Sequence, residues 1–272
     1  MTAVAFGALG LIVGSFLNVL ILRYGESLGG RSACMSCGAQ IRWYDLIPVV
    51  SWLALGGRCR ACKVRISLQY PLVEAATGIT FALIGGAPIS LPFVLLALPI
   101  ASLLIAIFVY DLYYMLIPDV WAYLLAGCSL AGALLAWWGS GDGIVPIILA
   151  GPATALPIFF LWMISRGRWM GFGDVKLTLS FGWLLGIVDG LYAVFAAFVV
   201  GAVVGVLLLI VSSDRWKRIA SRVTHMPLPG SGGQGYTMKS EVPFGPFLII
   251  SCLFVWFMHL YNIPLPLGLA PW

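Results

Sequence analysis

Long apolar runs separated by short polar breaks dominate this chain. Eight stretches read as helical spans, at about 3–22, 70–87, 91–110, 118–138, 144–164, 176–189, 190–211 and 245–262. Most approach the roughly 20 residues that a helix needs to cross the hydrocarbon core of a bilayer. The sixth is short and runs almost directly into the seventh. Two long polar interruptions stand out, one from Tyr24 to Gln69 and one from Ser212 to Glu241. The pattern predicts an all-α polytopic membrane protein of about eight transmembrane helices, with a polar loop after the first.

Composition agrees with this pattern. The chain is 61% hydrophobic and 9% charged, whereas soluble domains carry about 25% charged residues. The positions of the charges predict orientation, because basic residues favour the cytoplasmic side. With the N-terminus outside, the cytoplasmic segments are 23–70, 111–117, 165–176 and 212–244, and all fifteen Lys and Arg fall in or at the edge of them. The external connections near Gly86, Asp142 and Asp189 carry none. The net charge of +5 is thus accounted for by topology and gives no reason to expect nucleic acid as a partner. The first apolar segment lacks a basic leader and a small-residue cleavage site, and it ends at Arg23. It reads as a retained span rather than a signal peptide.

The loop at 24–69 holds two CxxC pairs, Cys34/Cys37 and Cys59/Cys62, with the 21 residues 38–58 between them. In a reducing compartment such pairs favour a four-thiolate zinc site, and reduced thiols or a redox pair are the other readings. The spacing is slightly wider than the usual zinc-ribbon interval of roughly 15–20 residues. Gly38 and the Gly56-Gly57 step suit tight turns, and Arg31, Arg58, Arg60 and Lys63 would favour thiolate. Cys128 and Cys252 stand alone in apolar spans and read as packing residues. His225 and His259 have no ligand cluster near them in sequence and read as loop and interfacial residues.

Few polar groups interrupt the spans. Asn18 closes the first span in Gly14-Ser-Phe-Leu-Asn18, where it can pack across helices or touch a ligand. Glu74 follows Tyr70-Pro71 at the start of the second span, where a carboxylate suits the positive helix end. A functional role fits it equally. Asp111 and Asp119 are among the few ionised groups between Phe81 and Met163. Asp174 closes the run Gly171-Phe-Gly173-Asp174, with Lys176 just beyond. Gly171 and Gly173 would let the backbone turn tightly beside a bound extended chain. Arg215-Trp216-Lys217-Arg218 reads as a juxtamembrane patch against anionic lipid, and Gly230 to Gly235 as a flexible linker.

A carboxylate at the edge of hydrocarbon is costly and marks a functional site by default. The topology returns Asp111 and Asp174 to the same cytoplasmic depth. If they meet, they share one proton. The ionised member then takes a proton from water as it attacks a carbonyl, and the protonated member polarises that carbonyl and helps the amine leave. Helix capping is the competing role for both, and the first reading for Asp119 after Pro118. An ion path through a transporter is a further reading of the same acids, although both lie at one face.

Taken in order, several motifs resemble the type IV prepilin peptidase family, whose members are leader peptidases and N-methyltransferases. They are Gly14 to Asn18 with Arg23, both CxxC pairs, Ile47-Pro-Val-Val-Ser-Trp-Leu53, Tyr70-Pro-Leu-Val-Glu74, Asp111 with Ile117-Pro-Asp119, Gly171-Phe-Gly-Asp-Val-Lys176, and Pro243-Phe-Gly-Pro246. They cover nearly the whole chain. Met35 departs from the proline found in many members.

The resemblance implies catalytic roles for Asp111 and Asp174, supported by Gly171, Gly173, Lys176 and Asp119. It implies zinc on Cys34, Cys37, Cys59 and Cys62. It also implies cleavage of prepilins or pseudopilins after Gly on the cytoplasmic face of a bacterial inner membrane, then N-methylation from S-adenosylmethionine. Asn18, Gly56, Gly57 and Glu74 are the candidates for that cofactor. The implied division is a methyltransferase-associated part at 1–90 and a peptidase core at 91–272. Presenilin-like proteases share the GxGD element, but the long cysteine loop argues against them. Archaeal preflagellin peptidases share the aspartates but normally lack that loop.

Overall fold

The computed structural model describes residues 2–25, 29–30, 32–140, 143–212 and 243–264. Arg31, Asp142, the Arg215 to Arg218 patch, His225, the Gly230 to Gly235 stretch and Glu241 lie outside the described residues. The helices are α1 (Thr2–Leu22), the short α2 (Val50–Ala54), α3 (Gln69–Gly86), α4 (Leu91–Tyr114), α5 (Asp119–Ser140), α6 (Ile144–Ser165), α7 (Phe172–Leu185), α8 (Ile187–Ser212) and α9 (Gly245–Leu260). Only two isolated antiparallel bridges, Ala33 with Gln40 and Arg58 with Arg65, stand in for strands among the described residues.

The long helices match the expected segments in order, so the chain is a multi-pass helical membrane protein. Five of them, α1, α4, α5, α6 and α8, are long and apolar enough to cross a bilayer by themselves. The other three do not qualify, so eight independent spans are not confirmed. Helix α3 has 18 residues but carries Glu74, Thr77 and Thr80 on its buried side, and α7 and α9 have 14 and 16 residues. One boundary also moves. Asp189 is not in a connection but in the first turn of α8, and the break falls at Gly186, whose φ of +83° favours glycine.

Small residues set the packing. Helices α1 and α3 run antiparallel along a seam where a Cβ at Gly10 would lie 2.6 Å from the Thr77 carbonyl oxygen, and one at Gly14 would lie 2.8 Å from the Glu74 Cα. Without a hydrophobic force between helices in lipid, such close backbone approach is what dispersion and interhelical polar contacts require. The same device joins α6 to α7, where Gly151 leaves room for the Trp183 ring and the Trp183 indole N–H donates to the Ile148 carbonyl at 3.1 Å. Helix α4 lies at the centre. Its Ala101, Leu104 and Ile107 belong to one core with Leu177 and Phe181 of α7 and Leu248, Ile249, Cys252 and Val255 of α9. Cys252 is buried in this core and Cys128 packs against it, as packing residues should.

At the end of α9, His259 meets Asp189 of α8 at 2.5 Å, and the Tyr261 hydroxyl donates to the Leu83 carbonyl at 2.8 Å. His259 is therefore not a bare interfacial residue. Its partner comes from 70 positions earlier in the chain.

Gly10→Leu should force α1 and α3 apart, because no rotamer avoids the Thr77 backbone. Overpacking of this kind costs about 1–3 kcal/mol, and a lowered thermal midpoint of the purified protein in detergent would record it.

Candidate active site and thiol centre

Three helix ends converge on the acid pair. Asp111 sits in the last turns of α4 and is buried, and Met115 closes that helix in the left-handed conformation with its N–H on the Asp111 carbonyl at 2.9 Å. The first N–H groups of a helix have no partner inside it and attract anions. The N–H of Gly245, first residue of α9, donates to the Asp111 carboxylate. A Cβ at Gly245 would overlap that carboxylate, so only glycine lets α9 begin there.

Asp174 is the third residue of α7 and is also buried. Its carboxylate reaches back to the N–H of Gly171, the residue that caps the helix. This is the capping-box arrangement with aspartate as the third residue. The Asp111 charge is an electrostatic neighbour of Asp174, which stands 63 positions later in the chain.

Ile117 holds the convergence together. It is buried between the starts of α7 and α9, where a Cβ at Gly173 would lie 2.9 Å from the Ile117 Cβ and one at Gly245 would lie 3.5 Å from its Cδ1. The expected role of the two loop glycines is corrected here. Neither Gly171 nor Gly173 has a positive φ; the left-handed turn is made by Arg166 at +51° and Gly167 at +76°. Gly173 serves close packing, and Gly171 leaves its own N–H open to Asp174.

Asp119 opens α5 and receives the Lys176 ammonium at 2.6 Å. The same ammonium lies over the rings of Tyr123 and Phe172 at 5.2 and 5.1 Å. Asp119 thus stands in the first turn of its helix and ties α5 to α7. Sequence reading missed the aromatic cluster beside Asp111. Tyr24 meets Trp121 at 4.8 Å and Tyr110 at 5.3 Å between ring centroids, which fastens the end of α1 to α4 and α5. The residues 23–24 carry no periodic signal that could have announced it.

The cysteine loop builds one turn twice. In the first knuckle the Cys34 N–H donates to the Ala39 carbonyl and the Gly38 N–H to the Cys34 carbonyl. In the second the Cys59 N–H donates to Val64 and the Lys63 N–H to Cys59, all at 2.8–3.0 Å. The residue after each second cysteine is left-handed, with φ of +68° at Gly38 and +61° at Lys63. All four sulfurs lie within 4.8 Å of one another, and Cys34 and Cys62 are 3.8 Å apart. A tetrahedral site with metal–sulfur bonds of about 2.3 Å has sulfur–sulfur edges of about 3.8 Å. All four cysteines are free, whereas a disulfide would bring sulfurs to about 2.05 Å. The donor set fits a metal ion.

Backbone N–H groups of Cys37 and Ser36 pull the Cys34 thiol down to about 6. At Cys62 the Val64 N–H favours thiolate, but desolvation and the three neighbouring thiols outweigh it and push the group up to about 11. Among the described residues, the thiolate-favouring backbone donors at Cys34 are these two amides. Arg60 is committed elsewhere, to Asp45 at 2.7 Å, and holds that carboxyl well below the usual range.

Two further candidates sit where α1 meets α3. Asn18 is buried, and its amide N–H groups donate to the carbonyls of Gly14 and Tyr70 at 3.3 and 3.2 Å. Glu74 is the sixth residue of α3, which starts at Gln69, so it is not a first-turn acid and Pro71 is not the first helical residue. It accepts the Val49 N–H at 2.7 Å. Val49 has φ of +61° and ψ of −49°, a conformation that costs a β-branched residue about 1–3 kcal/mol. Gly56 and Gly57, with φ of +59° and +65°, line a cavity of about 300 Å³ with Trp52, Arg58 and Arg65.

These features define a class: a multi-pass helical membrane protein with two coupled buried carboxylates at one end of its bundle and a four-thiol loop beside it. Residues 8–87 match the bacterial peptidase A24 N-terminal domain, and residues 98–206 match the type IV leader peptidase family. A "Prepilin leader peptidase/N-methyltransferase" of Pseudomonas putida is 31% identical, with 89% of this chain and 86% of that protein covered. One of Pectobacterium carotovorum subsp. carotovorum is 30% identical over 95% and 94%. One of Myxococcus xanthus is 36% identical over 76% of this chain, which spans 63% of that relative's length. No solved structure matches the chain. The chain belongs to the type IV leader peptidase family.

The thiol centre yields a measurable outcome. Elemental analysis should find about one divalent metal ion per chain, lost in Cys37→Ser. Because the Cys34 value falls from 9.0 unfolded to about 6 folded, its thiolate stabilises the loop fully above pH 9 and ceases to as pH falls through 6. Protons compete with the metal in the same direction. Metal release on acidification through that window, with a drop in thermal midpoint, is the expected record.

Proposed function

We propose that this protein is a membrane aspartic endopeptidase that removes the leader peptide of type IV prepilins or pseudopilins. The observation that carries the reading is the burial of Asp111 and Asp174 together, each accepting a backbone N–H at a helix start. Two carboxylates so placed hold one proton between them. The ionised carboxylate takes a proton from water as the oxygen attacks the scissile carbonyl. Its protonated partner hydrogen-bonds the carbonyl oxygen and then delivers a proton to the departing amine. The amides at the starts of α7 and α9 keep both acids oriented while charge moves between them.

Basic residues around this end of the bundle support a cytoplasm-facing site in the bacterial inner membrane, with the N-terminus outside. An apolar substrate helix lying in the bilayer would bring the residue after its leader to the depth of the acids. The relatives' names and the match over residues 8–87 support a second activity, N-methylation of the new amine by S-adenosylmethionine, assigned to residues 1–90 with the peptidase core at 91–272. Cys34, Cys37, Cys59 and Cys62 would hold a structural Zn²⁺, since four protein ligands leave no open position for catalysis. The cavity at Gly56-Gly57 is the candidate place for the cofactor. Trp52 offers an aromatic face, Arg58 and Arg65 suit a carboxylate, and the donor supplies an activated methyl group when bound.

Asp111→Asn and Asp174→Asn, tested singly with a purified prepilin, should each lower cleavage by about 10²-fold or more while the protein stays folded and inserted. Full cleavage by either variant would remove the acid pair from the mechanism. Gly245→Ala, which places a methyl on the Asp111 carboxylate, should reduce kcat for cleavage by about tenfold or more without altering metal content.

A further inference from the structure

The buried acceptors at the α1–α3 contact are not used by the cleavage mechanism proposed above. Asn18 cannot be reversed, since its two N–H groups serve two carbonyls, so its Oδ1 is left buried without a donor. A buried acceptor without a partner is costly and calls for a ligand or an ordered water. One turn away is Glu74, because a Cβ at Gly14 would meet the Glu74 Cα, while Asn18 lies a turn beyond Gly14 and its partner Tyr70 a turn before Glu74. Among the described residues only Oε2 of Glu74 accepts a hydrogen bond, from the strained Val49. Backbone strain held by a buried carboxylate marks a site kept for more than packing.

The ligand must bring donors and positive charge. An amide oxygen and a carboxylate in apolar surroundings match a primary ammonium group, which offers three N–H donors. We infer that Asn18 and Glu74 form the subsite that takes the N-terminal amine of the cleaved substrate for methylation, an inference that rests on the second activity proposed above. The free Glu74 oxygen accepts a proton from the ammonium, leaving a neutral amine whose lone pair is aimed by Asn18 Oδ1. That lone pair forms the N–C bond as the methyl–sulfur bond of a sulfonium donor breaks, with the bonding electrons kept by sulfur. The product is a secondary ammonium, and Glu74 returns its proton to water. Tyr70 also neighbours Tyr113 in the last turns of α4, close to Asp111, so the subsite lies at the same end of the bundle as the acids.

The test uses Glu74→Gln in the full-length protein, because the amide still accepts the Val49 N–H and preserves the loop. Two apolar peptides with free and acetylated N-termini serve as probes, with no methyl donor present. The unaltered protein should bind the free amine about tenfold more tightly, and Glu74→Gln and Asn18→Leu should abolish the preference. With prepilin and S-adenosylmethionine, Glu74→Gln should cleave within about twofold of normal yet transfer methyl groups at least about 10²-fold more slowly. Unchanged amine preference in both variants would overturn the assignment and leave Oδ1 to an internal water. Parallel loss of cleavage and methylation would also overturn it, making Glu74 a fastening for Val49. Cleavage without any methyl transfer by the unaltered protein would defeat the second activity itself, and this subsite with it.

Discussion

Two carboxyl groups must be kept close to each other in an apolar bundle, and the rest of the structure is arranged to make the charge they carry tolerable. Isolated carboxylates out of water are expensive, and hydrogen bonds to the charged form offset the cost. Here the offsets come from main chain at the ends of helices. The N–H of Gly245 faces Asp111 and the N–H of Gly171 faces Asp174. Because these donors belong to rigid helix starts, they would need no reorganisation in the proposed mechanism, in which charge passes from one acid to the other. Ile117, pressed against Gly173 and Gly245, fixes how closely the two starts can approach.

The N-terminal part is built on a different economy. The seam between α1 and α3 depends on absent side chains, and the thiol loop between those helices depends on left-handed residues after Cys37 and Cys62. The aromatic contacts of Tyr24 with Tyr110 and Trp121 then attach this part to the helices that carry the acids. A substrate amine released at the acids would be delivered close to the Asn18 and Glu74 region without crossing the bundle. Shared depth makes successive reactions on one chain end geometrically reasonable.

Much of this was legible in advance, for reasons particular residues make plain. Asp111 and Asp174 stood out because ionised groups are rare in apolar segments. The four cysteines stood out because a CxxC pair offers two sulfurs from one turn. The glycines were legible as unusual but not in their roles. Gly173 reads as part of a tight turn, yet it is a packing surface for Ile117, and the turn lies at Arg166 and Gly167. His259 stands alone in sequence because its partner Asp189 is remote, and Glu74 reads as a first-turn acid only if the helix begins near Pro71 rather than at Gln69.

The sequence by itself determined the class of protein, the order of its helices and the residue types able to do chemistry, since hydrophobic length and rare charge are local properties of the chain. Tertiary structure alone decided which helix ends meet, that α3, α7 and α9 depend on their neighbours rather than on length to sit in the bundle, and which acceptors are left without donors. Those outcomes turn on distances between segments tens of residues apart. They are set by how closely backbones pack at Gly10, Gly14, Gly173 and Gly245, and no window along the chain contains both sides of such a contact.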